Sequence, residues 1–157
     1  MSTAVARNLM AEMKLFGMST TFDKTVADAA EQKWSYTEFL DVILQAEADF
    51  RQERRTLRLI KAARFPRQAG LEDFDFTAKR SITKAQIKEL YGLDWLRQGR
   101  PLLLIGQTGV GKTFIAQAVG RHACLSGKSV LYMSVTEWLE HYAIARSSGT
   151  YLKLRDK

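Results

Sequence analysis

Residues 106–113 have the types and the spacing of a phosphate-binding loop. They read Gly-Gln-Thr-Gly-Val-Gly-Lys-Thr and fit the pattern G-x-x-x-x-G-K-[ST]. In such a loop the glycines let successive backbone N–H groups point at one anion, and the helix that follows directs its positive end at the same place. We expect Lys112 to reach the β- and γ-phosphates, and Thr113 to bind Mg²⁺ through its hydroxyl. The pattern predicts ATP as the ligand, and a glycine-rich turn without a ligand is the alternative. The predicted nucleotide-binding residues are Gly106, Gln107, Thr108, Gly109, Val110, Gly111, Lys112 and Thr113.

The segments on either side of this loop predict the elements that position it. The apolar run 102–105 favours a strand, and the amphipathic run from Lys112 to about Leu125 favours a helix. A second strand is expected over 128–133, followed by a helix that begins at the capping box Ser134-Val135-Thr136-Glu137. Strand, helix, strand and helix in this order are typical of the start of a doubly wound α/β domain.

The sequence after the loop does not supply the parts of a complete hydrolytic site. Hydrolysis needs an acid that binds Mg²⁺ at the end of an apolar strand, a group that orients water and usually an arginine. After Thr113 the only acids are Glu137, Glu140 and Asp156, and none of them ends a run of four apolar residues. We interpret Glu137 as the partner in its capping box. The sequence therefore predicts nucleotide binding and no catalytic residue. A piece of a longer gene product and a loss of catalysis both fit this pattern, and ATP hydrolysis stays an open question.

The positive charge of the chain is concentrated in one stretch. The net charge is +7, and residues 51–67 carry +6 of it, with seven basic residues against Glu53. A capping box at Ser35 and Glu38 predicts a long helix to about Arg64, where the next proline ends it. At about 100° per residue, five cations of this helix fall within roughly one third of its circumference. They are Arg51, Arg54, Arg55, Arg58 and Lys61. We expect this face to bind the phosphates of double-stranded DNA without sequence preference, and a solvated surface is the alternative.

The remaining patterns predict shorter helices and a division of the chain into segments. A first helix is expected over 2–16 and is ended by Gly17, and a second one, capped by Ser19 or Thr20, reaches about Gln32. A short helix from about Thr83 to Tyr91 precedes the loop. We expect a helical N-terminal domain over 1–67, a connector over 68–100, and the N-terminal part of a P-loop domain over 101–157.

Composition is typical of a globular protein. The chain has 157 residues, of which 46% are hydrophobic and 26% charged, enough for one domain or two small ones. No run approaches the roughly 20 apolar residues of a membrane span, and the N-terminus lacks a signal-peptide pattern. The single cysteine, Cys124, excludes an intrachain disulfide and a cysteine-based zinc site, and we expect it to be a small buried hydrophobe. We therefore expect a cytoplasmic protein without membrane contact.

Three short sequences around the loop resemble one known family. They are Arg64-Phe65-Pro66, then Leu71-Glu72-Asp73-Phe74-Asp75-Phe76, and then Leu93-Asp94-Trp95. Together with the basic helix before them and the loop after them, they resemble the IstB-like ATPases. These are AAA+ helper proteins of bacterial transposition that are related to the DnaC helicase loaders. The resemblance covers the chain from about Lys14 onward.

The resemblance implies a small helical domain that engages DNA or the transposase, followed by an AAA+ domain. In the family, ATP-bound subunits assemble as homo-oligomers on duplex DNA and recruit the transposase to it. By position, residues 106–113 correspond to the nucleotide loop, and Arg51 to Lys61 lie in the basic N-terminal region. The family's magnesium-binding acidic strand (Walker B), its sensor and its arginine finger have no counterpart here, so we expect an AAA+ domain truncated after its second strand. In the AAA+ strand order 5-1-4-3-2, the two strands expected here are not neighbours.

Two functions of different classes follow from these patterns. The first is an ATP-binding, DNA-associated helper of transposition without its catalytic second half. The second is a protein-interaction module that docks a helicase or a transposase, with an inert nucleotide half. A self-standing P-loop kinase is disfavoured because no substrate-binding acid or lid arginine cluster follows the loop. Phe74 and Phe76 are expected either to line an adenine pocket or simply to pack.

Overall fold

The computed structural model describes residues 3–67, 69–74 and 82–151, and these are mostly helical. The chain divides into two compact units, Met1–Arg58 and Leu59–Lys157. None of the helices in the described ranges has both the length and the apolar character needed to cross a membrane. The helices are α1 (Thr3–Glu12), α2 (Phe16–Gln32), α3 (Tyr36–Ala63), α4 (Lys84–Tyr91), α5 (Asp94–Arg97), α6 (Lys112–Leu125) and α7 (Val135–Ser147), with a 3₁₀ turn over Leu71–Asp73.

The break between α1 and α2 lies earlier than the sequence predicts. Helix α1 ends at Glu12, and Lys14 takes the left-handed conformation, with φ of 57°. Helix α2 then begins at Phe16. Gly17 was expected to end a helix, but it lies in the first turn of α2, so this prediction is wrong, as is the expected cap at Ser19 or Thr20. The physical reason is a tertiary contact: a Cβ on Gly17 would lie 2.4 Å from the carbonyl oxygen of Ala46 on α3.

A buried carboxylate from α3 caps the start of α2. No local side chain caps this helix. Instead, Glu47 Oε2 accepts hydrogen bonds from the backbone N–H groups of Gly17, at 2.7 Å, and Met18, at 3.2 Å. Its other oxygen accepts a 2.7 Å bond from Arg51 Nε. Burial raises the pKa of Glu47, but the hydrogen bonds from Arg51, Met18 and Gly17 outweigh it and hold this pKa below its usual value. Glu47 is therefore an ionised, fully partnered group between two helices.

The long helix α3 agrees with the sequence prediction at both ends. At its start, Ser35 N donates to Glu38 Oε2 at 2.7 Å and Glu38 N donates to Ser35 Oγ at 3.2 Å, which confirms the capping box. At its end, Arg64 adopts a left-handed φ of 59° directly after Ala63. The structure confirms both expected helix boundaries. Each boundary could be predicted because its signal lies within a few residues of it.

The core of the second unit lies beneath α6. Its buried members are Phe74, Ile87, Leu93, Ile115, Val119 and Ala123. Phe65 packs onto α6 at Gly120, where a Cβ would lie only 2.9 Å from the ring. Cys124, also on α6, is fully buried, and burial raises the pKa of its thiol. The prediction of a small buried hydrophobe at Cys124 is confirmed.

The two predicted strands are not formed within the residues that the structure describes. Segments 102–105 and 128–133 carry no assigned secondary structure. The apolar side chains of Leu103 and Ile105 are 78% and 84% exposed. A strand requires a continuous ladder of backbone hydrogen bonds to a neighbouring strand, and the 2.8 Å bond from Tyr132 N to the carbonyl oxygen of Ala63 does not make one. The α/β architecture expected from these apolar runs is not confirmed in the residues that the structure describes.

Candidate functional site

The predicted phosphate-binding loop leads directly into the first turn of α6. Gly109 and Gly111 have positive φ angles, 84° and 98°, which L-residues with side chains rarely adopt. Gly111 is the residue that precedes α6, and no side chain caps the helix there. The first N–H groups of a helix have no partner within it, so this uncapped end offers donors and a positive dipole end to an anion. The loop backbone thus fits the triphosphate that the sequence predicts.

Lys112 lies across this loop. Its Nζ donates to the carbonyl oxygens of Gly106, at 2.8 Å, and Gln107, at 2.6 Å. An ammonium group has three protons, so one remains for a further acceptor. The next residue, Thr113, is exposed, which leaves its hydroxyl accessible to solvent and ions. Both residues lie in the first turn of α6, beside the uncapped helix end.

The loop is supported from below by aromatic packing. The rings of Phe74 and Phe114 lie 5.8 Å apart between centroids, and a Cβ on Gly111 would lie 3.9 Å from Phe74. Phe74 is 8% exposed and belongs to the core, which favours the packing interpretation of this residue. Phe76 lies outside the described residues. Helix α6, which follows the loop, is thus held in place by the packing of its buried face.

Glu137, one of the three acids that follow the loop in sequence, caps the start of α7. Glu137 Oε2 accepts from Ser134 N at 2.9 Å, and Glu137 N donates to Ser134 Oγ at 3.1 Å. The hydrogen bond from the Ser134 backbone is the main cause that lowers the pKa of Glu137. The capping box at the start of α7 is confirmed. Among the described residues, no three histidine, cysteine or acidic side chains gather as they would around a metal ion.

Four of the five predicted DNA-binding cations line a groove in the first unit. We call it the basic groove, and its volume is about 500 Å³. Its lining residues are Lys14, Phe16, Glu47, Phe50, Arg51, Arg54, Arg55 and Arg58. The fifth cation, Lys61, is exposed in the last turn of α3 and belongs to the second unit. The first four cations of the face predicted on α3 therefore lie on one concave surface.

The groove combines aromatic rings with guanidinium groups. Arg54 Cζ lies 6.0 Å from the centroid of the Phe16 ring and 5.7 Å from that of Phe50. These two rings are themselves 6.2 Å apart. Arg51 forms an ion pair with Glu47 at 2.7 Å. Among the described side chains, no carboxylate pairs with Arg54, Arg55 or Arg58.

Sequence reasoning found these cations but missed the groove around them. Phe50 precedes Arg54 by four residues on one helix, and this spacing is a local signal that could have indicated the contact. Phe16 and Lys14 come from the start of α2 and the preceding link, over thirty residues away in sequence. Their approach depends on the Gly17 contact with α3, for which the sequence has no local signal.

Comparison with known proteins gives a consistent family match. The model of a family described as IstB-like ATP binding protein matches residues 8–156. A protein of Sinorhizobium fredii, named as an insertion sequence ATP-binding protein, is 32% identical over 91% of this chain and 58% of its own length. One from Pseudomonas fluorescens, named for the insertion sequence IS1162, is 36% identical over 89% and 61%. One from Mycobacterium tuberculosis is 34% identical over 87% and 55%. The chain thus spans a little over half the length of these curated relatives.

Proposed function

The chain belongs to the family of IstB-like ATP-binding proteins, and from this premise we propose that it binds ATP and assists the transposition of an insertion sequence. The observation that carries the proposal is the geometry of loop 106–113. Two left-handed glycines, an uncapped helix start and Lys112 with one free proton stand together there. The relatives' names, which combine ATP binding with insertion sequences, support the same reading.

In this proposal each loop residue has a physical role. The backbone N–H groups from Gly109 to Thr113 surround the phosphates, because left-handed glycines turn successive amides toward one centre. Lys112 exchanges its carbonyl contacts for the β- and γ-phosphates. Thr113 is the residue that would hold Mg²⁺ through its hydroxyl, and the ion would neutralise charge on the phosphates.

We also propose that the second unit contains the first part of an α/β P-loop domain of the AAA+ type. Leu103, Ile105 and Leu131 are exposed by 78%, 84% and 61%, and helices packed on the faces of a complete α/β sheet would cover such side chains. The additional length of the relatives would supply the missing strands and helices. The layout is a helical domain over 1–67, a connector over 68–100 and the P-loop part over 101–157. In the whole protein this domain would form homo-oligomers in the cytoplasm.

The proposed contacts to double-stranded DNA are the five cations of α3, which are Arg51, Arg54, Arg55, Arg58 and Lys61. Three guanidinium groups in the groove have no carboxylate partner among the described residues. Unpaired arginines suit phosphate oxygens, and contacts to the phosphate backbone carry no sequence information. These contacts would therefore select no particular DNA sequence, and the transposase would join at the site where this protein is bound.

One experiment tests the nucleotide site. We expect wild-type protein to bind a non-hydrolysable ATP analogue with Mg²⁺, measured by titration calorimetry. Lys112→Ala removes a charge-assisted bond to phosphate and should weaken binding by about 10- to 100-fold. Lys128→Ala, at an exposed lysine outside the loop, is the matched control and should bind as wild type does. Equal binding by all three proteins would mean that loop 106–113 does not hold the triphosphate.

A second candidate, docking of a partner protein by the N-terminal unit, has its own supporting observation. Val5 and Leu9 on α1, and Met13 just after it, repeat every four residues and are 53%, 50% and 65% exposed. Such a stripe is typical of a helix face that packs against another chain. This interpretation needs no contact between α3 and DNA.

Charge reversal in the groove separates the two candidates. In the triple variant Arg54→Glu, Arg55→Glu and Arg58→Glu, duplex binding measured by fluorescence anisotropy should collapse if the groove contacts DNA. The control triple Lys24→Glu, Lys88→Glu and Lys128→Glu has the same net charge but leaves the groove intact. If both triples lose equal affinity, general charge rather than the groove binds the duplex. If the first triple still retains transposase in a pull-down, α1 rather than the groove docks that partner.

A further inference from the structure

We propose that the basic groove receives an unpaired nucleobase, so that the first unit prefers single-stranded or locally opened DNA over closed duplex. This inference rests on the proposed DNA contact of α3 and specifies its ligand. A face that only neutralises phosphates needs cations on a surface. The groove has in addition a concave shape and two aromatic rings, which a phosphate backbone does not use.

The aromatic pair gives the groove a surface on which a planar group can stack. Phe16 is 44% exposed, so part of its ring is accessible from solvent. The Arg54 guanidinium stands over both rings, at 6.0 and 5.7 Å. Aromatic rings together with arginine planes are the surfaces on which nucleobases stack in proteins that bind single strands. A base that enters the groove would therefore stack on the Arg54 guanidinium, beside the exposed part of the Phe16 ring.

The charges around this position fit the backbone that accompanies the base. The single acid, Glu47, is saturated by two backbone N–H groups and Arg51, so it presents little free negative charge. Lys14, Arg55 and Arg58 line the same groove without a carboxylate partner among the described residues. A phosphate on either side of the inserted base would then find a cation.

The size of the groove distinguishes a nucleotide from a bare phosphate. Its volume is about 500 Å³, within the range of about 300–1,000 Å³ that is typical of small-molecule sites. Bases inside a closed duplex are stacked and paired, and bringing one out costs a few kcal/mol. The groove should therefore favour strands whose bases are already unpaired. An acidic peptide would satisfy the cations, but it has no need of the Phe16 and Phe50 rings, and for this reason we favour nucleic acid.

The test compares three ligands on the full chain at one salt concentration by fluorescence anisotropy. They are a thymidine strand of about 12 nucleotides, which lies within known single-strand site sizes, an abasic strand of equal length and charge, and a duplex of that length. Wild-type protein should bind the thymidine strand about 5- to 100-fold more tightly than the abasic strand, as one or more stacked bases would give. Phe16→Leu should remove most of this difference and leave duplex binding unchanged.

Two further variants keep the test independent of folding. Arg54→Lys keeps the charge but not the planar group, so it should reduce the preference for the thymidine strand while duplex binding persists. Tyr36→Leu removes an aromatic ring that is 93% exposed and lies outside the groove, and it should behave as wild type.

The outcomes separate this inference from the proposed function. Equal affinity of wild type for the thymidine and abasic strands, with duplex binding retained, overturns the base site alone. Absence of binding to all three ligands overturns the DNA contact itself. Equal weakening of all three ligands by Phe16→Leu also overturns the base site. If a glutamate-rich peptide displaces the thymidine strand at lower concentration than the abasic strand does, the groove is a protein-binding site and the inference is wrong.

Discussion

Gly109 and Gly127 have nearly the same backbone conformation but very different places in the chain. Their φ angles are 84° and 78°, and a Cβ at either position would meet no atom within 4 Å. Gly109 lies in the predicted phosphate loop, whereas Gly127 follows the end of α6. An alanine at either site is therefore strained to a similar degree without any clash, since only the left-handed conformation is disfavoured.

This pair allows the role of the loop to be measured apart from stability. We expect Gly109→Ala and Gly127→Ala each to lower the free energy of unfolding by about 1–2 kcal/mol. Only Gly109→Ala should also weaken ATP-analogue binding, by about tenfold or more, because a relaxed φ turns an amide away from the anion. Chemical denaturation and titration calorimetry measure the two effects. If Gly127→Ala loses as much nucleotide affinity as Gly109→Ala does, the loss of binding comes from lower stability alone.

At the scale of elements, the contact between α2 and α3 depends on one buried carboxylate. Glu47 is 6% exposed and accepts bonds from two amides at the start of α2 and from Arg51. Because its pKa in the folded chain lies below the usual value, the ionised form stabilises the fold. This contribution is fully present above the unfolded pKa, and it is lost as the pH falls through the lower, folded value.

Glu47→Gln should therefore destabilise the chain in a pH-dependent way. We expect a loss of about 1–3 kcal/mol in the free energy of unfolding at about pH 7, because buried donors lose a charged acceptor. The difference from wild type should shrink as the pH falls through the lowered pKa of Glu47, since the wild-type carboxyl then becomes protonated. Urea denaturation followed by circular dichroism measures both values. Glu53→Gln, at an exposed position on the same helix, should change stability by less than about 0.5 kcal/mol. A difference that stays constant with pH would exclude the carboxylate charge as its source.

The elements that sequence could predict are those whose signals are local. The capping boxes at Ser35 and Ser134 fix the starts of α3 and α7 because both partners lie within one turn. Gly17 was misread because its requirement comes from a backbone thirty residues away. The same limit applies to segment 102–105, whose apolar pattern is local but whose ladder partner is not. For the site, the loop residues were predictable as a contiguous motif, whereas Phe16 reaches the groove only through the packing of α2 on α3.

At the scale of the whole molecule, the net charge of +7 is distributed very unevenly. Residues 51–67 carry most of it, and within them Arg51 is already paired with Glu47. The formal charge of the cationic face thus overstates what is available to DNA. Four of the five predicted cations remain, which are Arg54, Arg55, Arg58 and Lys61.

The salt dependence of duplex binding should reflect this reduced number. Four phosphate contacts predict a slope of about −3.6 for log K against log salt, whereas five would give about −4.5. Arg55→Gln should make the slope shallower by about 1, because one fewer counterion is released. Lys24→Gln, an exposed residue of α2 outside the groove, should leave it unchanged. Binding that does not vary with salt would contradict the assignment of these cations to phosphate contacts.

Cys124 gives the chain an internal reporter. Its thiol is completely enclosed on α6, the same helix whose first turn adjoins loop 106–113. A water-soluble alkylating reagent can reach the sulfur only when that helix detaches from its neighbours, so each labelled molecule records one such opening event. With no other cysteine in the sequence, the labelling rate belongs to this helix alone. Mass spectra taken at successive labelling times, with and without nucleotide, therefore measure how often the helix that follows the loop detaches.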